Sequence, residues 1–165
     1  MAGHRNQRDA ALTDRIALRD LAATCLLGAR IAALLRPGDV VALSGGLGAG
    51  KSTLARAIIS GLGHTGEVPS PSFAIFESYD PPQVRLPLVH ADFYRLARPI
   101  EADELGLDDY REGAALIAEW PEHAGGFAHE PGCLAIWFED CAHEAGEQGR
   151  MAIVEPGADW LSRWP

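Results

Sequence analysis

The sequence is poor in lysine and in asparagine. Lys51 is the only lysine among 14 basic residues, the rest being arginine, and Asn6 is the only asparagine in 165 residues. Guanine-specific GTPases read their base with an asparagine-lysine-x-aspartate loop. Because Asn6 is followed by glutamine, the chain cannot build that loop, and this class of protein is excluded. A lone ammonium among guanidinium groups also indicates that position 51 needs a compact point charge.

Long apolar runs and cysteine pairs are absent as well. No stretch approaches the roughly 20 apolar residues that a membrane helix needs, and residues 1–9 have no apolar core of a secretion signal. The three cysteines, Cys25, Cys133 and Cys141, form no Cys-x-x-Cys pair. This usage predicts reduced, mostly buried thiols and a cytoplasmic location.

Positive charge is scarce in the chain as a whole. The formal net charge is −9, whereas nucleic-acid binding is driven largely by lysine and arginine neutralising phosphates. We therefore expect the chain to bind DNA or RNA poorly by itself. A local basic patch remains open at one cluster: Arg85, Arg95, Arg98 and Arg111.

A glycine-rich segment stands between an apolar run and a helical pattern. Residues 45–52 read Gly-Gly-Leu-Gly-Ala-Gly-Lys-Ser, which matches the Walker A spacing. Backbone N–H groups that turn inward around a phosphate need dihedrals that side chains resist, and glycine supplies them. The helix that follows adds the positive end of its dipole. The predicted contacts of ATP are Gly46, Leu47, Gly48, Ala49, Gly50, Lys51, Ser52 and Thr53, with Lys51 at the β- and γ-phosphates and Ser52 on Mg²⁺.

Strand patterns alternate with helical patterns, which predicts an α/β fold. We expect one domain over residues 1–165, frayed over 1–12, with a three-layer P-loop NTPase-like sheet that is mostly parallel and has antiparallel edge strands. Asp20 is the predicted N-cap of the first helix, which Pro37 ends. Strands are predicted at 15–19, 39–44, 73–79, 86–93, 114–120, 134–138 and 151–154, and helices at 21–35, 51–61 and, in pieces, 100–111.

Two predicted strands end in carboxylates. Asp92 follows the apolar run that begins at residue 86, and Glu119 follows the run that begins at residue 114. A P-loop enzyme needs such an acid beside its first strand to hold magnesium or its water shell, so both are candidates. His90 lies inside the first of these strands, where a hydrogen-bonded core residue and a functional residue are equally compatible with the pattern.

Residues 68–73 form a loop after the P-loop helix. Its two prolines restrict its conformation and its serines, Ser70 and Ser72, offer hydroxyl ligands. The position is typical of a switch segment that senses the γ-phosphate, although a rigid surface turn has the same composition.

Taken together, these segments resemble the TsaE (YjeE) family, the ATPase component of bacterial tRNA threonylcarbamoyladenosine synthesis. The resemblance rests on five segments in the family's order: residues 43–53, 68–73, 90–96, 103–110 and 119–122. The first, the Walker A loop, is generic, whereas the other four in this order are specific. They include the His-x-Asp-x-Tyr-Arg-Leu run at 90–96 and the Glu-Trp-Pro-Glu run at 119–122.

The resemblance implies a slow ATPase that works on a complex of TsaB and TsaD, where a tRNA adenosine is modified. It implies that Ser52 and Glu119 coordinate Mg²⁺ and that Asp92 serves hydrolysis, through metal-bound water or by orienting the attacking water. Ser72 is implied as a catalytic switch residue near the γ-phosphate, with Lys51 on the phosphates. Trp120 is implied near the nucleotide or a partner surface, and a packing role fits it equally. Contact with tRNA would be indirect.

The sequence departs from the family pattern at three positions. Ser72 replaces the usual threonine and keeps its hydroxyl, and Ser52 does the same in the Walker loop. Gly46 stands where aspartate is common, so a role for that carboxylate is in doubt here.

Two other functions are compatible with the sequence. A small-molecule or nucleotide kinase uses the same loop, but it needs a lid, often one that bears arginine. Arg95, Arg98 and Arg111 are the candidates for that lid, in a segment that is short and acidic. A nucleotide sensor that binds ATP without hydrolysing it also fits the motif.

Overall fold

A seven-stranded sheet organises the chain. The computed structural model describes residues 13–71, 75–142 and 148–164, and the order of strands in its sheet is β1-β7-β6-β2-β5-β4-β3. The strands are β1 (Asp14–Leu18), β2 (Val40–Ser44), β3 (Phe76–Tyr79), β4 (Leu88–Asp92), β5 (Ala115–Glu119), β6 (Cys133–Ala142) and β7 (Gln148–Pro156).

The centre of the sheet is parallel and both of its edges are antiparallel. β6, β2, β5 and β4 run in the same direction, whereas β3 opposes β4 and β7 opposes both β6 and β1. Val40 to Leu43 are buried on both faces, as a central parallel strand requires. The predicted α/β class, with its parallel centre and antiparallel edges, is confirmed.

Two helices cover one face of the sheet. α1 (Leu21–Leu34) begins after Asp20, whose side chain accepts a hydrogen bond of 2.8 Å from the Ala23 amide, so the predicted N-cap is present. α2 (Lys51–Gly61) has the predicted bounds. The two helices cross closely at Gly28, where an added Cβ would lie 2.4 Å from the Cβ of Ala57.

Short helical pieces cover part of the other face, which makes the third layer. They are α3 (Ile100–Glu104), α4 (Leu107–Arg111) and a 3-10 turn at Pro121–Ala124. Their buried side chains join Phe93 and Phe127 in a second core cluster, separate from the one under α1 and α2. Among the described residues, no helix combines the length and apolar character needed to cross a bilayer.

The structure differs from the sequence prediction mainly at its late strands. The predicted runs at 134–138 and 151–154 ended where polar residues begin, but β6 and β7 pair over Cys133–Ala142 and Gln148–Pro156. An antiparallel hairpin continues to pair when its outward positions are polar. The strand predicted at 73–79 begins at Phe76, because Ile75 lies in a bend. Residues 73 and 74, and the N-terminal segment 1–12 that was expected to fray, lie outside the described residues.

Candidate functional site

The glycine-rich loop occupies residues 45–50, between the end of β2 and the start of α2. Gly48 and Gly50 have φ angles of 72° and 109°, in the left-handed region where side chains are strained. Gly50 is also the N-cap residue of α2. The loop therefore wraps over the N-terminus of the helix, as the Walker pattern predicts, and presents that positive end to the cleft.

Lys51 is folded against this loop. Its Nζ donates hydrogen bonds to the carbonyl oxygens of Gly45, at 2.7 Å, and Gly46, at 2.6 Å, and lies 4.3 Å from the ring centroid of Trp120. Burial lowers the pKa of the ammonium from its ordinary value, although three nearby carboxylates act in the opposite direction. The chain's one ammonium is thus held at the mouth of the loop by groups that a phosphate can replace.

Glu119 ties the first turn of α2 to the neighbouring strands. Its Oε1 accepts a hydrogen bond of 2.7 Å from the Ser52 hydroxyl, and its Oε2 accepts one of 2.7 Å from Nε2 of His90. Glu119 and His90 are each 1% exposed. The sequence left the role of His90 open, and the structure places it against the candidate metal ligand.

The partners of Glu119 keep the carboxylate ionised. Burial by itself would raise the pKa of Glu119, but the hydrogen bonds from His90 and Ser52 and the charge of Lys51 outweigh it and hold the pKa below its ordinary value. A buried carboxylate that is charged and faces a hydroxyl is suited to bind a divalent cation.

Asp92 lies beside Glu119 across the sheet. The two residues are register partners at the ends of β4 and β5, and Oδ1 of Asp92 accepts a hydrogen bond of 3.0 Å from the Tyr94 amide. Partial burial raises the pKa of Asp92, and the charge of Glu119 raises it further, against the effect of the Tyr94 amide. Two neighbouring carboxylates with opposite pKa shifts are typical of separate roles in one site.

The predicted site residues converge on one cleft of about 250 Å³. Among the predicted residues, its lining includes Leu47, Gly48, Ala49, Gly50, Lys51, Ser52, Thr53, Asp92 and Glu119. Gly46 does not line this cleft, although its carbonyl accepts from Lys51. Ser72 lies outside the described residues.

The donor set fits Mg²⁺ bound together with phosphate. Among the described residues, no group of three or more His, Cys, Asp or Glu side chains could hold a metal ion by itself. Magnesium commonly takes only one or two protein oxygens and completes its shell with water and phosphate oxygens. The hydroxyl of Ser52 and the carboxylate of Glu119 supply that number of protein ligands.

A second cleft of about 330 Å³ continues from the loop and was missed by the sequence analysis. It shares Ala49, Gly50 and Thr53 with the first cleft, and its walls include Leu21, Thr24, Phe138, Asp140 and Arg150. Arg150 also lines the first cleft. No local motif marks these residues, because they come from the start of α1 and from the β6–β7 hairpin, far from the Walker loop in sequence.

Trp120 lines the first cleft, and its backbone is strained. Its φ and ψ angles are 54° and 52°, and it is the one described non-glycine residue with positive φ. Its ring packs against Tyr94, at 5.0 Å between centroids, and against His123, at 5.3 Å. Strain of this kind persists where surrounding contacts fix it and is frequent at functional sites.

The chain is similar to proteins of one known family. The sequence model of the family described as threonylcarbamoyl adenosine biosynthesis protein TsaE matches residues 18–148. A Streptomyces coelicolor protein named tRNA threonylcarbamoyladenosine biosynthesis protein TsaE is 46% identical over 97 residues, which cover 58% of this chain and 66% of that protein. The Bacillus subtilis protein of the same name is 44% identical over 90 residues, 54% of each chain.

A solved structure has the same overall shape. The crystal structure of Bacillus subtilis YdiB aligns with 91% of this chain and 90% of its own, with a TM-score of 0.67 and 27% sequence identity. The sequence matches to the first two relatives are shorter and span between about half and two thirds of those proteins.

Proposed function

Because the chain belongs to the TsaE family of threonylcarbamoyl adenosine biosynthesis proteins, we propose that it binds ATP with Mg²⁺ and hydrolyses it slowly, in the cytoplasm, as the ATPase that acts with TsaB and TsaD on tRNA. The observation that carries this proposal is the 2.7 Å hydrogen bond between the Ser52 hydroxyl and the Glu119 carboxylate, in front of a glycine loop that holds Lys51. In this arrangement a phosphate-binding loop and a candidate metal ligand face the same cleft.

The residues of the loop would bind the triphosphate. The N-terminus of α2 attracts the phosphate charge, and Lys51 would exchange its bonds to Gly45 and Gly46 for the β- and γ-phosphates. The nucleoside would leave the loop near Thr53 and enter the second cleft, whose walls include the ring of Phe138. The two clefts share Ala49, Gly50 and Thr53, which supports this placement of the nucleoside.

Hydrolysis would depend on the two carboxylates in different ways. Ser52 and Glu119 would hold Mg²⁺, which when bound would offset negative charge on the β- and γ-phosphate oxygens. Asp92, whose pKa is raised, would orient the attacking water or accept its proton, since general bases work best when their pKa lies nearer to the operating pH. Its position across the strand from Glu119 supports this role.

A partner would explain how an acidic chain serves tRNA. With a net charge of −9, the protein is a poor ligand for phosphate backbones, so contact with tRNA would be made through TsaB and TsaD. The lid expected of a kinase has less support. Arg111 is engaged by Glu130, with contacts of 3.1 and 2.5 Å, and Arg98 lies 4.0 Å from Glu101.

The test is ATP binding and turnover in matched variants. Lys51→Ala removes a charge-assisted contact worth about 1.5–3 kcal/mol, so ATP should bind more than tenfold more weakly. Arg56→Ala removes an exposed charge on the same helix and should leave binding unchanged. Equal ATP affinity of Lys51→Ala and the wild type would contradict the proposal.

Turnover with partners separates the proposed ATPase from its alternatives. Phosphate release should depend on Mg²⁺ and rise when purified TsaB and TsaD are added. Phosphate transferred to a small acceptor instead of water would indicate a kinase. Tight ATP binding without hydrolysis, even with both partners present, would indicate a nucleotide sensor.

A further inference from the structure

One half of the second face of the sheet carries apolar side chains toward solvent. α3, α4 and the turn at Pro121–Ala124 pack beneath β4, β5 and β2, but the same face continues across β6, β7 and β1. There Trp137 is 39% exposed, and its register partner Ile153 and the nearby Met151 are half-buried. A sheet face in contact with water normally carries polar residues. We call this surface, formed by Ala17, Trp137, Met151 and Ile153, the open face.

A cavity joins the open face to the phosphate loop. Its volume is about 540 Å³ and its lining is mostly apolar, with Trp137 on one side and Trp120, Pro121 and Phe127 on the other. Ser44, Gly45 and Gly46 also line it. Trp120 therefore lines both this cavity and the cleft that holds Lys51, and a group that enters the cavity would touch a residue of the nucleotide site.

Acidic side chains surround this apolar surface. Glu155 and Glu139 are exposed on the same face of β7 and β6, and Glu122 lines the cavity, where it accepts a hydrogen bond of 3.2 Å from Ser44. Arg15 is the basic residue of β1 on this face, and its guanidinium lies 3.5 Å from Glu139. Among the described residues of this surface, the three carboxylates outnumber this one guanidinium, so the surface favours a partner that carries positive charge.

We propose that the open face and its cavity dock a protein partner that presents an apolar side chain flanked by arginine or lysine. This inference rests on the proposed function, because the partner it names is the TsaB–TsaD assembly. A second copy of this chain would set carboxylates against carboxylates, and nucleic acid or an anionic membrane would be repelled in the same way. Exposed apolar patches with a polar rim are typical of protein interfaces.

Three substitutions test the docking surface. Trp137→Ser removes the central apolar group, Glu155→Arg reverses one rim charge, and Leu26→Ser changes a side chain that is 73% exposed on α1, over the opposite face of the sheet. Binding of each full-length variant to purified TsaB–TsaD is measured by calorimetry with Mg²⁺ and ATP. Trp137→Ser and Glu155→Arg should each weaken binding at least tenfold, and Leu26→Ser should bind like the wild type.

The outcomes distinguish this inference from the proposed function. If the wild type does not bind TsaB–TsaD at all, both are overturned. If the wild type binds and both open-face variants bind equally well, the docking surface alone is wrong. ATP affinity of the variants should be unchanged, since neither residue belongs to the phosphate site. Light scattering that finds a wild-type dimer dissociated by Trp137→Ser would show the face to be a self-contact and would overturn the proposal.

Discussion

Nε2 of His90 donates a hydrogen bond of 2.7 Å to Oε2 of Glu119, and each residue is only 1% exposed. The other carboxylate oxygen accepts from Ser52. A carboxylate held at both oxygens cannot rotate, so the imidazole fixes the direction in which Glu119 faces the start of α2. Residues that hydrogen-bond to a metal ligand orient it, and their loss lowers the affinity for the metal.

Replacement of His90 should therefore affect both folding and magnesium binding. His90→Leu leaves a buried carboxylate oxygen without its donor, which should lower the free energy of unfolding by about 1–3 kcal/mol and weaken the Mg²⁺ dependence of ATP binding. His90→Gln can place an amide donor near the position of Nε2 and should recover much of both. Urea unfolding and Mg²⁺ titrations check this. If His90→Leu matched the wild type in both, His90 would be a packing residue only.

Asp92→Asn should stabilise the protein at neutral pH while it impairs hydrolysis. The folded-state pKa of Asp92 is raised, mainly by burial, so its ionised form is less stable in the folded than in the unfolded chain. This cost is present above the folded-state pKa and disappears as the pH falls through it toward the unfolded value. Asparagine keeps an oxygen that can accept from the Tyr94 amide.

Melting temperatures across a pH series test the sign of this effect. The Asn variant should melt higher than the wild type near pH 7, and the difference should shrink in acid. Glu119→Gln should behave in the opposite way, since the pKa of Glu119 is lowered and its ionised form stabilises the fold at neutral pH. An Asp92→Asn variant that melts at a lower temperature than the wild type at pH 7 would contradict the raised pKa of Asp92.

The sequence was sufficient for the local parts of the site, because their signals are local. The Walker spacing predicted the start of α2, and the two strand-terminal acids meet because adjacent parallel strands end at one edge of the sheet. No local pattern could predict that His90 contacts Glu119. Two helices separate these residues along the chain, and only the register of β4 on β5 brings them together.

Long-range pairs account for the rest of what was missed. The bidentate contact of Arg163 with Asp39, at 2.7 and 2.9 Å, joins the C-terminal segment to the residue before β2, and both side chains are 6% exposed. Neither residue belongs to a motif. Of the two thiols whose burial is described, Cys133 is buried as expected, and burial raises its pKa to about 12, whereas Cys25 is exposed.

Trp120 should report the occupancy of the phosphate loop. Its ring lies 4.3 Å from the Lys51 ammonium, and a nucleotide that draws Lys51 to its phosphates would change this contact. We expect ATP with Mg²⁺ to alter the tryptophan fluorescence of the wild type. The change should be lost in Trp120→Phe and kept in Trp137→Phe, which is the matched control on β6. A signal that survives in Trp120→Phe would come from another tryptophan and would contradict the role of Trp120 as the reporter.

Arg150 should contribute to ATP affinity although no motif contains it. A Cβ added at Gly50 would lie 3.1 Å from its guanidinium nitrogen, and its side chain lines both clefts. A guanidinium beside the loop can donate charge-assisted hydrogen bonds to phosphate, each worth about 1.5–3 kcal/mol. Arg150→Ala should therefore weaken ATP binding about tenfold or more, and Arg150→Lys should restore only part of it, because an ammonium lacks the planar fork. Binding titrations with ATP and adenosine locate the contact. If Arg150 binds phosphate, adenosine affinity should be the same in all three proteins, and an equal loss for adenosine would assign Arg150 to the nucleoside instead.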